Sequence, residues 1–271
     1  MEVKPNFPIA LSIAGFDGSG GAGMQADIKT FSARGVYACN VLTALPVQNT
    51  TGVKSLYDLP IQSISEQIDS IFGDLDIQAV KIGMLHKIEI IELVANKLKE
   101  YKPKFIVVDP VMVAKSGHRL LQEDAVSALK SLILPLATIL TPNIPEAGDL
   151  IGREIINSDD MEVAGKEILQ FGAQAVVVKG GHMENDAKSS DCIVQRNGDL
   201  TWIHSERFKS NNTHGTGCTF SAAIAAELSK GNSILDSISI AKKYLSKAIE
   251  SSSNIKIGKG KGPVHFFYEW W

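Results

Sequence analysis

Short apolar runs of strand length alternate along the whole chain with stretches whose apolar residues recur at helical spacing. Ile9–Ala14 predicts a strand, followed by a glycine loop and a helix over Gly23–Ala33. Residues 40–45 predict the next strand and 61–72 the next helix. Ala79–Ile82 leads into a helix over 88–99, and 105–109 is an apolar strand closed by an acid. Residues 137–141 and Ala175–Lys179 are two further strands, each preceded by a helical segment. Residues 191–194 and 201–204 predict a polar hairpin across Asn197-Gly198, a dipeptide that suits tight hairpin turns. Residues 220–228, with Ala222, Ala223, Ala225 and Ala226, predict a buried helix.

Repeated β-α alternation implies a mostly parallel sheet with helices on both faces, an α/β/α sandwich. No linker, repeat or low-complexity segment interrupts it, so residues 1–271 read as one domain. Ligands of such sheets bind outside the carboxyl ends of the strands. That rule gathers residues 15–23, 47–50, 83–84, 109–113, 141–146 and 179–182 around one crevice. Glycines and polar residues concentrate in the same segments.

Composition narrows the field. Hydrophobic residues make up 44% of 271, enough for a sizeable core, and the net charge of −3 offers no basic surface for nucleic acid. No apolar run approaches membrane-spanning length, and residues 1–8 lack a signal-peptide pattern. Cys39, Cys192 and Cys218 are the three cysteines; their number and spacing suit neither a disulfide framework nor a metal site. A cytoplasmic protein is expected.

The densest chemistry lies in His214-Gly215-Thr216-Gly217-Cys218-Thr219. A glycine turn feeding a helix presents unpaired backbone N–H groups at the positive end of the helix dipole, where phosphate binds. Cys218 falls in the first turn, where the dipole is expected to lower a thiol from about 8.5 toward working pH. Alone, Cys218 fits a small buried hydrophobe. Gly18-x-Gly20-x-x-Gly23 matches the dinucleotide fingerprint literally, but no acid follows at the next strand end to hold a ribose, so the match is read as accidental. No Gly-x-x-x-x-Gly-Lys-Ser/Thr sequence exists, which excludes a P-loop. Asp109, after a buried strand, needs a partner. With Glu146 it could hold Mg²⁺ through waters, although Glu146 alone reads as a solvated first-turn charge. Lys179 could neutralise a phosphate or simply end a strand.

Together these residues resemble the ribokinase-like superfamily, and within it the hydroxymethylpyrimidine/phosphomethylpyrimidine kinases of thiamin biosynthesis. The resemblance runs through Ile13-Ala14-Gly15, residues 19–27, Lys29-Thr30-Phe31, Thr43-Ala44-Leu45, Gln48-Asn49-Thr50 and Lys81-Ile82-Gly83-Met84. It continues in Asp109-Pro110-Val111-Met112, Lys115-Ser116-Gly117, Thr141-Pro142-Asn143, Glu146 and Lys179-Gly180-Gly181-His182. The Cys218 loop, Gly258-Lys259-Gly260 and Gly262-Pro263-Val264-His265 complete it. Phe16, Gly18 and Pro46 depart from the usual pattern and flank the substrate loop.

The resemblance implies a three-layer sandwich with little or no separate lid. It implies transfer of the ATP γ-phosphate to a pyrimidine hydroxymethyl group and then to the monophosphate. Cys218 stands where most of the superfamily carries an aspartate base, with Gly215 and Gly217 in the anion hole. Gln48 and Asp27 are expected to read the aminopyrimidine, Gly15, Met84 and Val111 to shape its pocket, Lys179, Thr216 and Asn143 to bind ATP, and Asp109 and Glu146 to hold Mg²⁺. A homodimer is expected. A pyridoxal kinase of the same branch is the near alternative, and a non-catalytic ligand sensor the distant one. The aromatic tail, residues 266–271, reads as packing on its own domain or as an interface.

Overall fold

The computed structural model describes residues 7–112, 123–182 and 188–271. Lys115, Ser116 and Gly117 lie outside them. Strands β1 (Ile9–Ala14), β2 (Tyr37–Leu42), β5 (Ala79–Ile82), β6 (Phe105–Val108), β7 (Ile139–Leu140), β8 (Ala175–Lys179), β9 (Lys188–Gln195) and β10 (Leu200–Glu206) form one sheet in the order β10-β9-β8-β7-β6-β5-β1-β2. Pairing is parallel from β8 across to β2, and β9 and β10 are antiparallel additions at one edge. The central strands are buried on both faces and mostly apolar, as the doubly covered strands of a parallel sheet must be.

Helices α2 (Ile61–Asp74), α3 (Ile88–Tyr101), α4 (Glu123–Ala128), α5 (Ile144–Ile151) and α6 (Ser158–Leu169) supply one layer. Ile64, Ile68, Ile91, Val94, Leu150 and Ile168 from this layer pack against Leu11, Val80, Val108 and Val176 of the sheet. Helices α1 (Gly23–Ala33), α7 (Thr216–Ser229) and α8 (Ile234–Ser251) cover the other face. There Phe31, Phe220, Ile224 and Ile238 pack on Ala10, Ala79, Val107 and Val177. α7 is buried continuously from Thr219 to Ser229, sandwiched between the sheet and its helical neighbours α1 and α8. Its many alanines permit that close approach.

One expected strand divides in two. Residues 40–45 span the end of β2 and the start of β3 (Ala44–Asn49), which leaves the sheet and pairs only with β4 (Gly52–Asp58). Thr43 makes the break: its amide bonds the Ala14 carbonyl and its hydroxyl donates to the Met84 carbonyl, 2.7 Å away. The chain is pinned there and turned off the sheet edge. Among the described residues, the strands outside the sandwich thus amount to one two-stranded hairpin. No helix among the described residues is long and apolar enough to cross a membrane.

Candidate active site

The N-terminus of α7 is the centre of the site. Gly215 at the N-cap holds φ 77°, and a Cβ there would collide with the Gly21 carbonyl. Only glycine fits both demands. The first backbone bond of the helix runs from Thr219 N to Gly215 O at 2.8 Å. Gly215 has no side chain to cap the amides of Thr216, Gly217 and Cys218 that precede that bond. The Thr216 hydroxyl turns back to the Thr213 carbonyl.

Three strand ends meet this terminus. Asp109, just beyond β6, is buried, and its Oδ1 accepts from Lys179 Nζ at 2.8 Å and from the Thr141 hydroxyl at 3.2 Å. The partner that a buried strand-end acid requires is therefore Lys179. A Cβ on Gly217 would stand 3.2 Å from Asp109 Oδ2 and 3.4 Å from Lys179 Nζ, so the helix terminus lies directly over the ion pair. Burial alone would lower the Lys179 ammonium, but the Asp109 and Glu146 charges hold its pKa above the usual lysine value. Asn143 and Glu146 form a reciprocal capping box on α5, with Glu146 Oε2 accepting from Asn143 N at 2.8 Å. The solvated-charge reading of Glu146 fails here. It is buried, and burial pushes its pKa up to about 7, with Lys179 opposing and Asp109 reinforcing the rise.

Cys218 occupies the first turn of α7, but its thiol departs from the sequence expectation. Burial pushes it up to about 11; the Lys81 charge and a hydrogen bond from the Gly23 amide oppose that rise, while Asp27 and Asp109 add to it. Desolvation of the anion outweighs the helix terminus. Lys81 had no role in the sequence reading. It is fully buried in β5, with Nζ 2.8 Å from Asp27 Oδ2. The same oxygen accepts from the Ser12 hydroxyl at 2.6 Å, whereas Asp27 Oδ1 is buried without a partner among the described residues. Burial raises the Asp27 pKa despite the lysine beside it. The signal that could have exposed Lys81 is a lone charge inside the four-residue buried strand Ala79–Ile82.

Gly15 and Met84 come together: the Met84 methyl would be 3.2 Å from a Cβ on Gly15. Val111, half-buried, follows Asp109 at the end of β6, its amide bonding the Asp109 carbonyl. Gln48 lies on β3 of the hairpin, next to a register shift between Val47 and Gln48, not at the end of a main-sheet strand. Its carbonyl stands 4.0 Å from the Cβ position of Gly18, and the Phe16 ring flanks the same glycine. The hairpin tip is held from outside. Cβ atoms on Gly258 and Gly260 would clash with Thr50, and Lys261 N donates to the Thr50 carbonyl.

The first glycine loop is internally satisfied. Asp17, fully buried, accepts from Ser19 N and Oγ, Gly21 N, Ala22 N and His214 Nε2 at 2.7–3.0 Å. Burial would raise its pKa, but the His214 and Ser19 bonds hold it well below the usual carboxylate range. These bonds leave no dinucleotide cradle in the loop. The acid immediately before the glycines was the available signal. Among the described residues, no group of three or more His, Cys, Asp or Glu could hold a metal ion by itself.

The family profile described as phosphomethylpyrimidine kinase matches residues 17–265. The hydroxymethylpyrimidine/phosphomethylpyrimidine kinase of Rhizobium meliloti is 49% identical over 266 residues, covering 97% of this chain and 98% of that one. Among solved structures, the phosphomethylpyrimidine kinase of Clostridium difficile aligns with a TM-score of 0.79 at 44% identity, over 89% of this chain and 99% of that one. The pyridoxal kinase of Bacillus subtilis in its ADP complex aligns with a TM-score of 0.90 at 37% identity, over 98% of this chain and all of that one.

Proposed function

The chain belongs to the phosphomethylpyrimidine kinase family, and from that premise we propose that it transfers the γ-phosphoryl group of ATP to the hydroxymethyl oxygen of 4-amino-5-hydroxymethyl-2-methylpyrimidine. A second transfer to the resulting monophosphate yields the diphosphate used in thiamin biosynthesis. The observation that carries this reading is the open N-terminus of α7 seated over the Lys179–Asp109 pair with Cys218 in its first turn. Phosphoryl transfer asks mainly for positioning and for charge stabilisation. The Gly215, Gly217 and Cys218 amides face the developing charge, and Lys179 shares it. Thr216 and the Nδ2 of Asn143 contact the nucleotide. Gln48 and the unpartnered Asp27 Oδ1 read the aminopyrimidine, between walls made by Gly15, Met84 and Val111.

Two acids suit Mg²⁺ carried on nucleotide phosphates. Asp109 Oδ2 lies beside Gly217, and Glu146 Oε2 is committed to the capping box while its other oxygen is not. Since no group of three His, Cys, Asp or Glu among the described residues could hold a metal ion, Asp109 and Glu146 would hold Mg²⁺ through waters. When bound, it supplies neutralisation of phosphate charge.

Cys218 accepts the hydroxyl proton in the first transfer. A thiol near 11 is ionised in only a small fraction of molecules at neutral pH, so Lys81 and the Gly23 amide, the groups that oppose burial, make that fraction reachable. The single-domain reading of residues 1–271 is supported by the two apolar cores of the described residues, which share one sheet. ATP as donor favours a cytoplasmic reaction. A second copy of the chain covers the outer hairpin face, where Val47 and Tyr57 are exposed, to give a homodimer; a light-scattering mass of a monomer would refute that part.

The structural likeness to a pyridoxal kinase favours pyridoxal as the second candidate substrate. Nucleotide consumption with the pyrimidine alcohol, its monophosphate and pyridoxal, each supplied separately, tests the reading. Turnover is expected on both pyrimidines. Consumption with pyridoxal alone would replace the pyrimidine assignment, and binding without consumption in any arm would favour a sensor.

A further inference from the structure

The mechanism uses the glycine loop before α1 only as a pocket wall and leaves His214 without a task. Yet the two loops touch through backbone. The Gly21 carbonyl occupies the space a Cβ on Gly215 would need, and a Cβ on Gly21 would stand 2.6 Å from the His214 ring. Across this contact His214 Nε2 donates to Asp17 Oδ2 at 2.8 Å. The same oxygen accepts from Gly21 N and Ala22 N, so one buried atom binds both loops. Asp17 N in turn donates to Gln25 Oε1 in the first turn of α1, and His214 N donates to the Gly262 carbonyl. Pro263 closes the third side, 3.1 Å from the Gly21 Cβ position.

We propose that Asp17 and His214 are positioning residues that lock the α1 and α7 termini into one register and thereby aim the α7 amides at the transferring group. The proposal rests on the phosphoryl-transfer reading of α7. Neither side chain is hydrogen-bonded or ion-paired to Lys179 or Asp109, so each is assigned a positioning and not a catalytic role. Their contribution is geometric: His214 is bonded to Gly215, and a shift of the ring carries the amide donors with it. A displacement of about 1 Å at such a site costs on the order of a hundredfold in rate. The Asp17 carboxylate has a further effect. It is a resident anion at the α1 terminus, so substrate phosphate is directed to α7 alone.

The test compares His214→Leu, His214→Asn and His214→Gln in the full chain. Leucine removes the donor, asparagine is too short to span to Asp17, and glutamine can place an amide N–H near the former Nε2. Leucine and asparagine should lower kcat on the pyrimidine alcohol by roughly ten- to a hundredfold, with KM for both substrates near wild type. Glutamine should recover most of the loss. Amide hydrogen exchange across residues 213–219 should quicken in the leucine and asparagine variants and not in the glutamine variant. A loss carried by KM, a glutamine variant no better than leucine, or unchanged exchange in all three would overturn the proposal. If wild type turns over no pyrimidine, the phosphoryl-transfer reading fails. The exchange comparison, made without substrate, then still judges the coupling of the loops.

Discussion

Helices α1 and α7 both start on glycine-rich loops at the same end of the sheet, and their first amides are used in opposite ways. At α1, Gly21 and Ala22 donate to Asp17, Gly23 to the Cys218 sulfur, and Met24 to the Gly15 carbonyl. At α7, the N-cap is a bare glycine and the terminus opens onto a buried lysine and aspartate. A glycine turn before a helix therefore becomes a ligand site only where the chain does not bring its own acceptor to the amides. The closed terminus is still useful: it is the rigid surface against which the open one is placed.

Cys218 is where the two termini meet, so its loss should have the largest effect. Cys218→Ala should cut phosphorylation of the alcohol on the order of a hundred- to ten-thousandfold, the usual range for a lost general base. The monophosphate, whose second pKa is about 6, is already largely ionised at neutral pH and should retain a larger fraction of its turnover. In wild type, kcat/KM on the alcohol should climb between pH 6 and 9, because the thiolate of a group titrating near 11 grows with pH throughout that window. Steady-state rates for both substrates across pH decide the matter. Equal fractional losses, or a flat alcohol profile, would make Cys218 a packing residue.

Gly215→Ala attacks the open terminus itself. The substitution strains φ and drives a methyl into the Gly21 carbonyl, so it should displace amide donors whose individual loss costs on the order of a hundred- to a thousandfold in kcat. Activity within a few-fold of wild type, with the fold intact by circular dichroism, would sink the anion-hole assignment. Gln48→Leu leaves both termini alone. It should weaken pyrimidine binding by roughly ten- to a hundredfold, the scale of a buried hydrogen bond lost, and barely change ATP binding. Calorimetric titration of each ligand checks it, and equal losses would remove Gln48 from base reading.

The smallest effect concerns Glu146. Its folded pKa of about 7 lies above the ordinary value of 4.5, so the folded state holds a proton that the unfolded state releases. Stability from this group is present below the unfolded pKa and is lost as pH rises through the folded one. Glu146→Gln keeps an acceptor for the capping box without the ionisation. Its melting temperature should therefore exceed that of wild type by a few degrees at pH 8 and match it near pH 5. A constant difference at both pH values would mean that burial does not perturb the carboxyl.

Periodicity alone located the sandwich well. Ile9–Ala14, Gly23–Ala33, Ala79–Ile82 and Ala175–Lys179 coincide with their elements, because each strand is an apolar run with a single polar residue and the helix starts directly at the glycine loop. The hairpin of β3 and β4 was not legible, since nothing local marks Thr43 as a departure point; its bonds reach Ala14 and Met84, distant in sequence. α8 was missed as well, although its apolar residues recur at helical spacing behind a Ser233 cap. Motifs located Lys179, Asp109 and the α7 loop. The electrostatics of the site were hidden, because the Cys218 thiol answers to the burial and charge around it, Lys81 included, not to its place in a turn.

The clasp of residues 258–263 on Thr50 and His214 has a consequence for the order in which the protein becomes an enzyme. The sheet from β2 to β10 is complete once residue 206 has left the ribosome. The hairpin carrying Gln48 and the loop carrying Gly215 acquire their shared brace only when residue 263 emerges. A chain that ends before Gly258 lacks that brace, and with it Val264 and Phe266, which pack on Ala26 and Ala248. The brace of the pocket and the last part of the core, Val264 and Phe266, are thus delivered together, by the final residues to be synthesised.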